Sequence, residues 1–271
     1  MSSDSFEAGS PASVSSTREG DVRPLSSVRR VVARRMTEAW RTIPAATLYR
    51  TVPFASLLAA RERLAGSSRQ KPSLDVLITI LAARTLAELD LLNGSWLEEE
   101  RAVLVHPQRN VAIAVDTPHG LTAIVLRDAD GRSVSELDAE FVTMLERARA
   151  GRSFLADVAD ATFTITNVGG LGVEWFNPII TPPQSGVLGV GAIRPTPRRE
   201  RPAILALTFD HRVADGADAA RFLRRLAERI TEAQPGDFRR SPVATPDPHP
   251  PSQHSDQRSE PSPEPEKGSS D

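Results

Sequence analysis

The chain has 271 residues, 39% hydrophobic and 25% charged, the balance of an ordinary globular protein. A net charge of −2 gives no global pull toward nucleic acid or an anionic membrane, and no run approaches 18 uninterrupted apolar residues. The absence of cysteine excludes disulfides, thiolate metal sites and a cysteine nucleophile within this chain.

The opening MSSDSFEAGS lacks the basic and apolar regions of a secretory signal, and a cytoplasmic location is expected. Residues 1–23 are rich in Ser, Gly and acids and are expected to be disordered. The same holds for 236–271, a Pro, Ser and acid tail with too little apolar surface to offset its ordering entropy. One ordered domain is therefore expected over 24–235. In it, LSSVRRVVARRMTEAWRT reads as a helix capped by Ser26 or Ser27, with Val28, Val31 or Val32, Met36 and Ala39 on one side and Pro44 beyond its end. ATLYRTV reads as a strand, and FASLLAARERLAG as a helix stopped by Gly66. SLDVLITILAARTLAEL is a longer apolar helix, expected to be buried, with Ser73 as its cap. NVAIAVDTP and GLTAIVLRD are strands joined by a turn at Pro118-His119-Gly120. SVSELDAEFVTMLERARAG is an amphipathic helix ending at Gly151. Three strands follow, ATFTITNV, SGVLGVGAI and AILALTFD, and DGADAARFLRRLAERI closes the domain as a helix. This order predicts a mixed α/β fold with a sheet covered on at least one face.

Two segments carry the chemistry. In LTFDHRVADGADAARFL, residues 207–223, an apolar strand ends at Asp210-His211-Arg212. Histidine is the side chain best suited to moving a proton near neutral pH. Asp215 stands close enough to orient the loop or balance charge, and Gly216 would permit a positive φ into the last helix. Alone, such a histidine is more often a surface or structural residue. His106 and His119 lie in turn-like contexts and read as solvated, and His249 and His254 fall in the tail. The second segment, TFTITNVGGLGVEWFNPIITPPQSGVLGVGAI, holds Asn167 and a Gly169-Gly170-x-Gly172 turn. Pro178, Pro182 and Pro183 rule against a helix after it, so a phosphate cradle is a poor reading. Close backbone approach to another chain or ligand is the better use of these glycines. Thr164 and Thr166 alternate with Phe163 and Ile165, so their hydroxyls share one polar or ligand-facing side. The plainer reading is threonine's β-propensity.

Together these segments resemble the catalytic domain of dihydrolipoamide acyltransferases of 2-oxo acid dehydrogenase complexes. The family pattern DHRxxDG stands here as DHRVADG, and its FTISNxGGxGV…PIIxPPQ…LGVG stands as FTITNVGGLGVEWFNPIITPPQSGVLGVG. NVAIAVDTPHGLTAIVLRDAD and LSSVRRVVARRMTEAWRTIPAATLYRTV are similar to further family segments, so the resemblance spans 24–234. It implies an α/β, chloramphenicol acetyltransferase-like two-layer fold, a mixed β-sheet covered by helices, in a trimer with interfacial active sites. It implies that His211 is the general base, and that the acceptor attacks an acyl-CoA thioester directly, without an acyl-enzyme. Thr166 stands where the family has a serine that hydrogen-bonds the oxyanion, and would face His211 of a neighbouring chain. Asp215 would hold the loop, with Asp210 and Arg212 structural. Acetyl-CoA is implied as co-substrate, with no bound cofactor or metal. Arg29, Arg30, Arg34 and Arg35 admit contact with CoA phosphates or a solvated face, and the second is preferred.

Two departures shape the functional expectation. Residues 1–23 are too short for the family's lipoyl and subunit-binding domains, and a polar tail follows the last helix. A homotrimer without the large family core is expected. The favoured activity is a stand-alone transfer of acetyl from acetyl-CoA to a small-molecule hydroxyl, as on tetronate polyketide intermediates, without nucleic acid or membrane partners. One alternative is a core dihydrolipoamide acyltransferase with its lipoyl domain on another chain. The other, a non-catalytic scaffold, fits poorly with His211, Asp215 and Thr166.

Overall fold

The computed structural model describes residues 21–65, 71–197 and 199–241, without the side chains of residues 27 and 28. Its elements in chain order are α1 (Ser27–Thr42), β1 (Ala45–Pro53), α2 (Ala55–Ala65), α3 (Leu74–Glu88), β2 (Gly94–Leu97), β3 (Ala102–Val105) and β4 (Val111–Thr117). Then come β5 (Gly120–Leu126), α4 (Val134–Arg149), α5 (Leu155–Val158), β6 (Phe163–Asn167), β7 (Gly186–Val190), β8 (Pro202–Asp210) and α6 (Gly216–Thr231). The expected mixed α/β class stands. The β2–β3 hairpin and α5 go beyond what the sequence predicts; at four residues each they are too short to show a period. The expected stop at Gly66, the side chain of Val28 and most of the segment 1–23 lie outside the described residues.

Six strands form one sheet in the order β1-β8-β7-β6-β4-β5. β6 is parallel to both its neighbours, β4 and β7, and the other pairs are antiparallel. Because side chains alternate along a strand, the register sorts the two faces. One row across the sheet is Ile113, Ile165, Leu188 and Leu207, and each of these is buried. The next row, on the opposite face, is Ala114, Thr166, Gly189, Ala206 and Tyr49, small or polar but for the last.

Helices cover the aliphatic face. α3 buries ten residues from Val76 to Leu86, which accounts for its apolar composition all round. α6 turns Phe222, Leu223, Leu226 and Ile230 inward and its arginines outward, and the Phe222 ring lies 5.9 Å from that of Phe163 on β6. A fully buried side chain of this size is worth about 1.5–3 kcal/mol, so these two helices fix the sheet firmly. Ser26 caps α1 through its hydroxyl, accepting from Arg29 N at 3.2 Å. Of the described residues on α1's expected apolar side, only Ala39 is buried. Ser73 takes the cap position of α3, but its side chain makes no cap bond; its N–H instead donates to Asp138 on α4 at 2.7 Å.

The packed body continues past the boundary expected at residue 235. A 3-10 turn, Pro235–Phe238, buries the Phe238 ring in the helical layer. Arg84 of α3 donates to the carbonyls of Asp130, Asp237 and Arg239, and Ser241 N donates to Gly131 O at 3.2 Å. Arg240 pairs with Glu136. That carboxyl is held down at about 2 by the Ser133 hydroxyl and N–H, with Arg240 adding to the effect. Removing the ring by Phe238→Ala is expected to cost about 3–5 kcal/mol. Urea unfolding measures it, and an unchanged midpoint would show that the ring does not support the core.

Candidate active site

β8 is buried without a break from Leu205 to Asp210, so its end is where buried surface meets the loop that holds His211. Asp210 is buried, and a carboxylate withdrawn from water needs a charged partner. Arg212 supplies it: Nη2 donates to Oδ2 at 2.7 Å and Nε to Oδ1 at 3.0 Å. The hydrogen bond to Asp210 is the main reason the guanidinium is raised above its ordinary value. Arg212 is gripped from the far side as well. Its guanidinium lies 5.3 Å from the ring centroid of Trp96, and Nη1 is 3.2 Å from Glu98, both on or beside the β2–β3 hairpin. Asp210 and Arg212 thus form a structural clamp, the role expected of them from the sequence.

His211 stands between the two halves of that clamp. Its N–H donates to Pro44 O at 3.1 Å, which ties the loop to the start of β1. The ring is exposed and lies 5.5 Å from the buried ring of Phe209. The turn closes where Val213 N and Ala214 N donate to Asp210 O. Asp215 then caps α6, with Oδ1 accepting from Ala217 N at 2.7 Å and Asp218 N at 2.9 Å, while Asp218 returns a bond to Asp215 N. These backbone donors, Asp218 N first, hold its carboxyl below the usual range. Asp215 holds the loop as a helix cap. Gly216 is not the left-handed turn residue expected: it is the first residue of α6, and its φ is not positive.

Thr166 lies near the far end of β6, on the small-residue face. A strap, residues 173–185, crosses that face and accounts for Gly189 and Gly191. A Cβ on Gly189 would meet the Phe176 ring at 3.0 Å, and one on Gly191 would sit 1.8 Å from Glu174 O. Gly169 approaches the Gly191 carbonyl, which a Cβ would meet at 2.5 Å, and Gly172 takes φ +83. At Gly169 the close approach is to the chain's own backbone, whereas Gly170 and Gly172 face open space. Thr164 points to the same side as Thr166 and donates to Gln184 Oε1 at 2.6 Å.

Within one chain His211 and Thr166 do not meet. Thr166 is in register with Gly189 and, across β7, with Ala206 on β8. His211 lies five residues further along the chain and two strands away. That places it about 17 Å along the strand direction and about 10 Å across. Each end carries exposed apolar surface. Leu171, 78% exposed, and Trp175, 60% exposed, lie toward Thr166, with Trp175 edge-on to Tyr49 at 5.7 Å. Trp40, 79% exposed, and Ile179 border a small cavity with Thr47 and Thr208 beside the His211 loop.

Burial sorts the other residues singled out from the sequence. Arg29, Arg30, Arg34 and Arg35 are all exposed along α1. His119 is exposed. His106 is not the solvated residue expected: it is half-buried, Nε2 lies 2.8 Å from the buried Ser95 hydroxyl, and desolvation pushes its imidazole down. Trp96, Glu98 and the Asn167–Asp75 contact are new. Their partners lie far off in sequence, so no local spacing signals them. Asn167 alone gives a hint, as a polar residue in the core-facing phase of its strand.

This arrangement of a mixed sheet, a strand-end histidine loop and a glycine-bound strap is that of an acyltransferase catalytic domain. Residues 17–235 match the family model for the 2-oxoacid dehydrogenases acyltransferase catalytic domain, and the chain belongs to that family. It is 33% identical over 220 residues to the dihydrolipoyllysine-residue acetyltransferase component of the acetoin cleaving system of Bacillus subtilis, covering 77% of this chain and 55% of that protein. It is 30% identical over 222 residues to the corresponding pyruvate dehydrogenase component of Buchnera aphidicola, with the same coverage. The chain thus spans about half the length of these curated relatives. Among solved structures, a truncated catalytic core of the Thermoplasma acidophilum 2-oxoacid dehydrogenase complex superposes with a TM-score of 0.73 at 32% identity, covering 78% of this chain and 98% of that one. The Azotobacter vinelandii dihydrolipoamide acetyltransferase gives a TM-score of 0.73 at 28% identity over 84% and 98% of the two chains. That enzyme was studied for the role of one serine, one histidine and one asparagine in its catalytic mechanism. The expected likeness to acetyltransferases of tetronate polyketide assembly finds no support in these relatives. They favour the alternative, a dihydrolipoamide acyltransferase.

Proposed function

We propose that the chain transfers acetyl between acetyl-CoA and a dihydrolipoyl thiol, at a site shared between neighbouring chains of a homotrimer. The observation that carries this reading is the placement of His211: an exposed imidazole on a loop fixed by a half-buried ion pair, a helix cap and a backbone bond to Pro44. His211 takes the proton from the acceptor thiol, and the sulfur attacks the thioester carbonyl. Negative charge collects on the carbonyl oxygen, where the Thr166 hydroxyl of the adjacent chain donates a hydrogen bond. Collapse expels the CoA thiolate, which recovers the proton from His211. The acyl group passes directly from one sulfur to the other, with no acyl-enzyme. The trimer brings together two residues that one chain holds at opposite ends of its sheet, and would cover the exposed Trp40, Leu171 and Trp175. The Bacillus and Buchnera relatives, both dihydrolipoyllysine-residue acetyltransferase components, support the thiol over a hydroxyl acceptor.

The test is CoA release from acetyl-CoA by the purified protein. Turnover with dihydrolipoamide and none with simple alcohols is expected. Turnover with alcohols alone would restore the hydroxyl acceptor.

A further inference from the structure

Asn167 follows Thr166 and points the other way, into the row of Phe163 and Ile165. A polar side chain in that phase needs partners, and it has two. Its Nδ2 donates to Asp75 Oδ1 at 2.7 Å, and its Oδ1 accepts from Gly169 N at 2.9 Å. The order of these two bonds is not free. A carboxylate only accepts, so Asp75 admits only the NH2 half of the amide. The carbonyl half is thereby turned to Gly169 N–H. A reversed amide would set donor against donor at Gly169 and acceptor against acceptor at Asp75. Gly169 packs close against the Gly191 backbone, where a side chain would have no room.

Asp75 has a firm base. It lies in the first turn of α3, the most deeply buried helix, half-buried itself. Burial raises its carboxyl, against which the Asn167 bond and the charge of Arg61 act. A first-turn acid serves a helix N-terminus without any partner on a neighbouring strand. The contact with Asn167 is a second use, and it links the rigid helix to the strand end next to the oxyanion donor.

We propose that Asp75 is a positioning residue for Thr166: with the Gly169 N–H holding the carbonyl half, Asp75 anchors the NH2 half of the Asn167 amide to α3, which fixes the end of β6 and so the direction of the Thr166 hydroxyl. The proposal rests on Thr166 being the oxyanion donor. A displacement near 1 Å at such a donor can cost about 10²-fold in rate. Asp75→Ala in the full chain is therefore expected to lower kcat about 10²-fold, with KM for acetyl-CoA within about twofold.

A double-mutant cycle separates positioning from a general loss of fold. Thr166→Ala is measured first; if it leaves kcat unchanged, the oxyanion reading itself is wrong. If it lowers kcat, adding Asp75→Ala to it should cost nothing further. An equal fall from Asp75→Ala in both backgrounds overturns the proposal, because Asp75 then acts elsewhere. Should Asp75→Ala not fold, Asn167→Ala removes the same link from the other side and carries the same expectation. A wild-type kcat in that variant likewise overturns it.

Discussion

Replacing His211 with alanine is expected to lower kcat for acetyl transfer by about 10²–10⁴-fold, the usual contribution of a general base. KM for acetyl-CoA should stay within about twofold, since a base acting on the acceptor's proton stabilises the transition state and not the bound donor. The fold should not suffer. The His211 ring is exposed, and the loop is held by other atoms: the backbone N–H of His211, the Asp210–Arg212 pair and the Asp215 cap. Surface substitutions of that kind shift stability by about 0.5 kcal/mol or less. Steady-state kinetics alongside urea unfolding tests both halves. A His211→Ala protein with wild-type kcat would show that His211 is not the base; the scaffold reading would return only if the variant lost turnover and kept full biological activity.

Much of that site is legible in the sequence because it is local. DHRVADG places a histidine at a strand end and an acid four residues on, and the structure finds them there as loop and helix cap. The alternation of Thr164 and Thr166 with Phe163 and Ile165 predicts a polar side of β6, and the register places both threonines on the small-residue face. The long buried helix is legible from composition, since α3 is apolar all round. What escapes the sequence is long-range or short-period. Arg212 reads as a neighbour of His211, but its grip by Trp96 and Glu98 crosses more than a hundred residues. Gly216 looks like a turn glycine, yet the turn closes on the Asp210 carbonyl and leaves Gly216 in the helix. Phe238 blends into the polar tail because one aromatic among prolines and charges carries no periodic signal; only the pocket beneath it reveals its place.

The separation of His211 from Thr166 makes a prediction that no within-chain site shares. A cyclic trimer joins unlike surfaces, so one face of each chain meets the other face of the next. Two inactive variants can then complement each other. Co-expressing His211→Ala and Thr166→Ala chains with different tags yields mixed trimers after sequential affinity capture. Where the Thr166→Ala chain presents its intact histidine to the intact threonine of a His211→Ala chain, the site is whole. Each captured mixed trimer, whichever chain is in the majority, holds about one such interface in three. Recovery to about a third of wild-type kcat is therefore expected from the captured mixed trimers. Each parent homotrimer should remain lower by about 10²-fold or more. Geometry excludes completion within one chain: the roughly 17 Å of strand and two strand spacings between the residues are too much for a rotamer change to bridge. If the catalytic pair instead came together within one chain, every chain in the mixture would lack one member of the pair. No recovery would then appear at any ratio, and the interfacial site would be excluded.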